Sequence, residues 1–332
     1  MLKPPKWRDC LDVLPYPYAE NMTKQITDTL LMVRPVAFGA NDETAVNNYY
    51  QKTLDISFQQ IQKKATDEFD RLVDVLRSEG VEVIVVEDTA DPETPDSIFP
   101  NNWVSFHEDG SAWTYPMFAK SRRLERRDDI FEKIAETHVL NKRGSFAEWE
   151  KQGKYLEGTG SLILDRIHKI GYAALSDRTH PDVLKEFTGK TGYEIVSFHS
   201  YQTVYGKRLP IYHTNVMMFV GEGVALICLD SIDDREERNE VVKKLEDSGK
   251  EIIGISEKQT EHFAGNMLQV ATKSAERLIV MSQSAYNCLE TSQKEILSKH
   301  GKLIYSDLTT IETLGGGSAR CMMAEVFLPR KS

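Results

Sequence analysis

Five short polar or small-residue clusters recur along this chain at a nearly constant interval, each directly before a strand-like apolar run. They are Asn101-Asn102, Glu157-Gly158-Thr159-Gly160, His213-Thr214-Asn215, Gly265-Asn266 and Ala319-Arg320-Cys321. From Asn102 through Glu157, His213 and Asn266 to Cys321 the steps are 55, 56, 53 and 55 residues. A period this regular marks a repeat architecture, in which no unit buries its own sheet face alone. By length the 332 residues suggest two domains, but a closed repeat holds that many in one. The expectation is an α/β fold of five ββαβ units closing into a ring, with an N-terminal extension over 1–28 and a single catalytic domain over 29–330. Closure would bring the clusters to one axis and place Glu157, His213 and Cys321 together.

The runs between the clusters fit that unit. Residues 29–33 read as a buried strand. Ile61, Ala65, Phe69, Leu72, Val73 and Leu76 share one helical face, Gly80 stops the helix, and 81–86 follows as a β-branched strand. A hairpin over 103–106 and 112–115 leads into an amphipathic helix expected over 122–135. The third unit is expected as hairpin 161–165 with 169–175, helix 181–187 and strand 193–198. The fourth is hairpin 216–220 with 224–229, helix 235–245 and strand 251–255; the fifth is hairpin 267–271 with 277–281, helix 287–297 and strand 303–305. The last hairpin strand, 322–328, would be completed by 29–33 from the other end of the chain.

Composition narrows the partners. A net charge of −10, spread rather than blocked, disfavours nucleic acid or an anionic membrane, both of which reward a concentrated basic surface. No run approaches the roughly 18 apolar residues of a spanning helix, and 1–24 lacks the apolar core of a signal peptide. Cys10, Cys228, Cys288 and Cys321 show no CxxC or Cys/His ligand pattern, and the histidines lack the i, i+4 pairing of helical zinc sites. Reduced thiols in a cytoplasmic setting are expected, with no metal and no cofactor. The expected partner is a small-molecule amino acid; the oligomeric state is open, a homo-oligomer included.

Leu314-Gly315-Gly316-Gly317-Ser318-Ala319-Arg320-Cys321 is the stretch on which chemistry is expected to be delivered. Three consecutive glycines allow φ > 0 and close approach of a substrate. Taken alone, Cys321 reads equally well as a small core hydrophobe, His213 as a half-buried histidine and Glu157 as a turn residue. Their shared phase along the repeat lifts them together. A thiol, an imidazole and a carboxylate are what covalent catalysis by cysteine requires: a nucleophile, an acid and base near neutral pH, and an anion that orients the imidazole.

These residues also resemble a known family. The chain is similar, from about Leu30 to Leu328, to the pentein superfamily, whose fold is a fivefold pseudo-symmetric α/β-propeller. That superfamily includes arginine deiminase, dimethylarginine dimethylaminohydrolase and glycine amidinotransferase. Gly315-Gly316-Gly317-Ser318-Ala319-Arg320-Cys321 resembles its nucleophile loop, Tyr212-His213-Thr214-Asn215 its catalytic histidine segment, and Leu156-Glu157-Gly158-Thr159-Gly160 its acidic Gly-rich motif. Ser176-Asp177-Arg178-Thr179 is similar to the segment whose arginine binds the substrate carboxylate. Pro95 to Asn102 together with Ser121-Arg122-Arg123 resembles dimethylarginine dimethylaminohydrolase, while Val33-Arg34-Pro35 and Asn47-Asn48-Tyr49-Tyr50 resemble the citrulline-utilisation hydrolases.

The resemblance implies Cys321, His213 and Glu157 as catalytic residues. Arg178 and Arg122 become candidates for a substrate's α-carboxylate, and Asp96 for its α-ammonium. Arg122 reads equally as a solvated charge at a helix start, and Asp96 as a turn residue after Pro95. Guanidine-binding members carry acids where this chain has Asn101-Asn102, and the deiminases another where Asn215 stands. Amides both donate and accept, so they match a neutral ureido group. The expected reaction is hydrolysis of citrulline to ornithine through a covalent Cys321 adduct. An arginine deiminase or dimethylargininase-type hydrolase, an amidinotransferase and a noncatalytic binding module of the same fold stand as alternatives.

Overall fold

The longest helix shows how this chain encodes its elements. In the computed structural model, which describes residues 23–331, Phe58–Ser78 is α-helical. Ser57 caps it in a reciprocal capping box with Gln60, and Ala65, Phe69, Leu72, Val73 and Leu76 are buried on one face. The chain leaves through Gly80 at φ 89°, a left-handed turn suited to glycine. It then returns as strand Glu82–Glu87, parallel to Thr29–Arg34.

The same crossover recurs. Five three-stranded sheets each contain an antiparallel pair and then a parallel third strand reached through a helix. The second sheet is Val104–Phe106, Ser111–Thr114 and Lys142–Ser145, crossed by helix Asp128–Thr137. The third is Ile163–Asp165, Ile170–Leu175 and Glu194–His199 with helix Pro181–Thr191. The fourth is Met218–Val220, Val224–Ile227 and Glu251–Gly254 with helix Arg235–Asp247. The fifth is Leu268–Ala271, Arg277–Ser282 and Lys302–Ser306 with helix Thr291–His300. The first sheet joins the chain ends, as expected: Leu30 pairs with Glu325 and Leu31 with Ala324, antiparallel. First strands of different sheets are also neighbours, 163–165 beside 218–220, 218–220 beside 268–271, and 324–325 beside 104–106.

Several local expectations are corrected. The helix expected over 122–135 is two pieces, a 3-10 turn Ser121–Glu125 and the α-helix Asp128–Thr137, separated by extended Arg127. Arg122 is therefore buried under the turn and is no solvated helix charge. The helix expected over 287–297 is divided into Gln283–Cys288 and Thr291–His300, because Ser282 and Glu290 each cap a new start. The strand expected over 322–328 is paired only at Ala324–Glu325; successive turns after Ser318 use the preceding residues. Strand Lys142–Ser145, exposed and lacking apolar alternation, was not expected, nor was the hairpin Tyr201–Val204 with Lys207–Pro210. Residues 25–27, assigned to the extension, are buried: Gln25 Nε2 donates to the Leu164 carbonyl at 2.9 Å and Thr27 Oγ1 to that of Val326 at 2.7 Å. Cys10 and most of the extension lie outside the described residues. Among those described, no helix is long and apolar enough to cross a membrane.

Candidate active site

The nucleophile loop is held from both sides. Helix Thr309–Gly315 starts where the Glu68 carboxylate accepts the N–H groups of Thr310 and Ile311, and ends at Gly316, φ 60°. The glycines serve packing as well as access: a Cβ on Gly315 would lie 2.7 Å from the Phe99 ring, and one on Gly316 2.6 Å from the Asn48 amide. Tyr212 Oη donates to the Gly316 carbonyl at 2.5 Å and Ser318 Oγ to Glu312 Oε1 at 2.6 Å. Burial pushes the Glu312 carboxyl up to about 7.

Cys321 is 2 % exposed, and two amide N–H groups point at its sulfur, Asn215 Nδ2 and Asn266 Nδ2, each at 3.3 Å. The Asn266 amide has one consistent orientation. Its Oδ1 accepts the Arg320 N–H at 3.0 Å, so its nitrogen must face the sulfur and the Asn215 carbonyl. Asn215 Oδ1 is buried and has no partner among the described residues.

His213 and Glu157 meet as their shared phase predicts. His213 Nε2 lies 2.7 Å from Glu157 Oε2, while Glu157 Oε1 accepts the Phe118 N–H at 2.9 Å. Burial would raise the Glu157 carboxyl, but the pull of Arg178, His213 and Arg122 outweighs it and holds it at about 2. Burial lowers His213 to about 4 against the opposing pull of Glu157. An anionic carboxylate thus faces a neutral imidazole whose Nδ1 has no partner among the described residues. The two glycines of the acidic motif permit this approach. A Cβ on Gly158, itself at φ 45°, would lie 2.4 Å from the Asn101 carbonyl, and one on Gly160 2.8 Å from His213 Nδ1 and 2.5 Å from Asn102 Nδ2.

A narrow cleft of about 10 Å³ joins these groups, lined by Cys321, His213, Asn102, Asp96, Arg122 and Arg178 among others. Asp96 Oδ2 accepts from Asn41 and Thr44, whereas its Oδ1 is buried without a partner among the described residues, and burial raises its pKa. Arg122 is bidentate to Glu125 at 2.8 and 3.0 Å and donates to Asn102 Oδ1 at 2.7 Å, so its fork is occupied within the protein. Arg178 donates to Asn47 Oδ1 at 2.6 Å and to the Thr44 carbonyl, with Glu157 at 3.5 Å, and lies over the Tyr212 ring. Asn101 does not line the cleft; it bonds Asn102 and Thr159 from behind.

Of the nine residues named from the sequence, six line the cleft and Asn215 reaches the Cys321 sulfur, while Glu157 stands behind His213 and Asn101 behind Asn102. Sequence reasoning passed over Asn266 as a site residue, although the repeat phase marks it. It also passed over Thr44, which lines the cleft, and Asn41 and Asn47, which bond Asp96 and Arg178, all from a segment outside the repeat.

The fold has solved counterparts. The arginine dihydrolase ArgZ from the ornithine-ammonia cycle in cyanobacteria superposes with TM-score 0.70 at 18% identity, over 91% of this chain and 41% of that one, so this chain spans about two-fifths of ArgZ. The N-terminal domain of ArgZ, solved as a variant bound covalently to a reaction intermediate, superposes with TM-score 0.67 at 17% identity, over 91% of this chain and 98% of that domain. Dimethylarginine dimethylaminohydrolase, solved as the adduct of a variant with S-methyl-L-thiocitrulline, gives TM-score 0.60 at 14% identity, covering 92% and 100%. Comparison with curated protein sequences returns no match. The family model for eukaryotic N,N dimethylarginine dimethylhydrolase matches residues 34–328. The chain belongs to this family of the pentein superfamily, which places it among hydrolases of amidine carbon–nitrogen bonds.

Proposed function

We propose that this protein hydrolyses the ureido group of citrulline, releasing ornithine, with Cys321 as nucleophile, His213 as acid and base, and Glu157 orienting His213. The observation that carries the reading is the amide character of the reacting end. Asn215 and Asn266 face the sulfur, Asn102 lines the cleft, and Asp96 is the one acid lining it among the described residues. A neutral ureido group, with one C=O and several N–H donors, matches amides; a guanidinium would call for an anion. The unpartnered Asp96 Oδ1 suits the α-ammonium and Arg178 the α-carboxylate. The ring of sheets is read as a fivefold propeller, supported by the five equivalent sheets and the convergence of their leading clusters.

In this mechanism His213 takes the Cys321 thiol proton as the sulfur attacks the ureido carbon, and the imidazolium gives that proton to the substrate's δ-nitrogen as the C–N bond breaks. Ornithine leaves an S-carbamoyl thioester. His213 then takes a proton from water, whose oxygen attacks the same carbon; the C–S bond breaks, returning the thiol and giving carbamic acid, which decays to carbon dioxide and ammonia. Holding the planar head against the sulfur is the contribution of the amides. Such a thiol needs a reducing, cytoplasm-like setting.

A second reading is favoured by the solved neighbours, among them AgrE, a mutant of which was crystallised as a binary complex with L-arginine: Asp96 Oδ1 would then take a guanidinium. Product analysis by mass spectrometry after incubation with citrulline, arginine, methylated arginines, and arginine plus glycine separates the readings. Ornithine from citrulline, absent with Cys321→Ala, is the expected result. Citrulline from an arginine would overturn the substrate and keep the nucleophile, and guanidinoacetate would identify a transferase.

A further inference from the structure

A second cleft, of about 200 Å³, opens at the opposite ends of the second and third sheets' first strands. Strand Val104–Phe106 runs from Asn102 to His107, and Ile163–Asp165 from Ser161 to Arg166. Three residues at about 3.3 Å each separate the two ends by about 10 Å. The cleft shares no lining residue with the catalytic one.

Its floor holds a buried cation that, among the described residues, shares its counter-ion with a second guanidinium. Arg166 is 4 % exposed, with its guanidinium 3.9 Å over the Phe327 ring. The nearest carboxylate is Glu325, at 3.7 Å, and that group already accepts from Arg320 at 2.8 Å. Two buried guanidinium groups thus share one carboxylate. Among the described residues the Arg166 guanidinium donates to no carboxylate or carbonyl within hydrogen-bond distance; only the Tyr193 phenol is beside it. Keeping a buried charge on a distant, shared counter-ion is costly, so a fold that retains one facing a cleft leaves room for a further anion.

The surroundings are mixed, with Lys169 and Lys190 against Glu108 and Asp109. Lys169 holds its amine over the Tyr193 ring from a backbone at φ 55°, a region that side chains other than glycine rarely occupy. His107 stays neutral on the floor, lowered to about 3 by burial and by Arg166, and bonds Ser105. The two acids, Glu108 and Asp109, stand on the exposed rim and are already used: Glu108 accepts the Lys24 N–H and Asp109 accepts the N–H and hydroxyl of Ser111. Lys190 on the rim is paired with Glu186.

We propose that this cleft binds a small oxyanion, a carboxylate or phosphate group, on the Arg166 guanidinium with Lys169 at the rim. The fork of a guanidinium matches either group, and the aromatic ring beneath Arg166 leaves its edge as the place of contact. The inference does not depend on the substrate of Cys321.

Calorimetric titration of the full chain with inorganic phosphate and, separately, acetate, in an oxyanion-free buffer at constant ionic strength, tests it. The wild type should show saturable binding of one or both; phosphate alone would assign a phosphate ligand, acetate alone a carboxylate. Arg166→Gln should weaken binding by at least about tenfold. Lys169→Gln, at an exposed position that leaves the fold intact, should weaken it about threefold while turnover is unchanged. No saturable binding to the wild type overturns the proposal. So does binding that survives both substitutions and is lost when substrate fills the catalytic cleft.

Discussion

Glu157→Gln is the most informative single change, because the structure dictates which way the new amide must face. Glu157 Oε1 accepts the Phe118 N–H at 2.9 Å, so a glutamine carbonyl stays there and its NH2 turns toward His213 Nε2. His213 then accepts at Nε2 and carries its proton on Nδ1, which removes the basic nitrogen from the face that has no protein partner. The charge is lost as well. A carboxylate and an imidazolium about 4 Å apart between charge centres interact by roughly 4 kcal/mol at an effective dielectric of about 20. A charge-assisted hydrogen bond accounts for about 1.5–3 kcal/mol by mutational measure. These overlap, so the imidazolium formed during turnover should lose about 2–4 kcal/mol, or roughly 30- to 1,000-fold in kcat. Steady-state release of ornithine from citrulline measures it, and KM should change little because Glu157 does not line the cleft. A kcat within about threefold of the wild type, or a loss carried by KM alone, would refute the orienting role.

Other outcomes follow from the same geometry. Gly160→Ala places a Cβ 2.8 Å from His213 Nδ1 and 2.5 Å from Asn102 Nδ2, so turnover should fall by about 100-fold or more while circular dichroism stays that of the wild type. Asn266→Asp keeps the acceptor for the Arg320 N–H and replaces the donor to Cys321; turnover should fall by about tenfold or more with little loss of Tm, whereas Asn266→Ala should lower both. Glu312, pushed up to about 7 by burial, binds a proton in the folded state that the unfolded chain has released once pH passes its ordinary value of 4.5. Its contribution is therefore fully present below pH 4.5 and lost as pH rises through about 7. Glu312→Gln should raise stability at pH 8 relative to pH 5, compared with the wild type, by up to about 3 kcal/mol in denaturant titrations; equal pH slopes would contradict that burial.

What was legible in the chain was periodic. Ala65, Phe69, Leu72, Val73 and Leu76 announce one helix face, Gly80 its exit, and the 53- to 56-residue steps the equivalence of the clusters before each first strand. Those signals are local or repeated, so they survive without knowledge of the fold. Strand Lys142–Ser145 carried no such signal: its residues are polar and largely exposed, and its place depends on pairing with Ser111–Thr114. The break at Arg126-Arg127 was hidden for a similar reason, since Arg122 belongs with Glu125, Asn102 and the carbonyls of Asp96 and Phe99, none of which a helical pattern reveals.

The sequence by itself determined the residue types at the centre and their phase: a thiol, an imidazole, a carboxylate and amides, each one unit apart. Which of them would be free was decided only in three dimensions. Arg122 and Arg178 look alike as text, yet Arg122 is closed by a bidentate carboxylate while Arg178 is held by an amide and a backbone carbonyl. Asp96 and Glu157 are both buried acids; surrounding cations hold Glu157 ionised, whereas burial raises Asp96 and leaves one of its oxygens unpartnered. Charge state and availability depend on distance and on exclusion of water, and both arise where segments far apart in the chain meet.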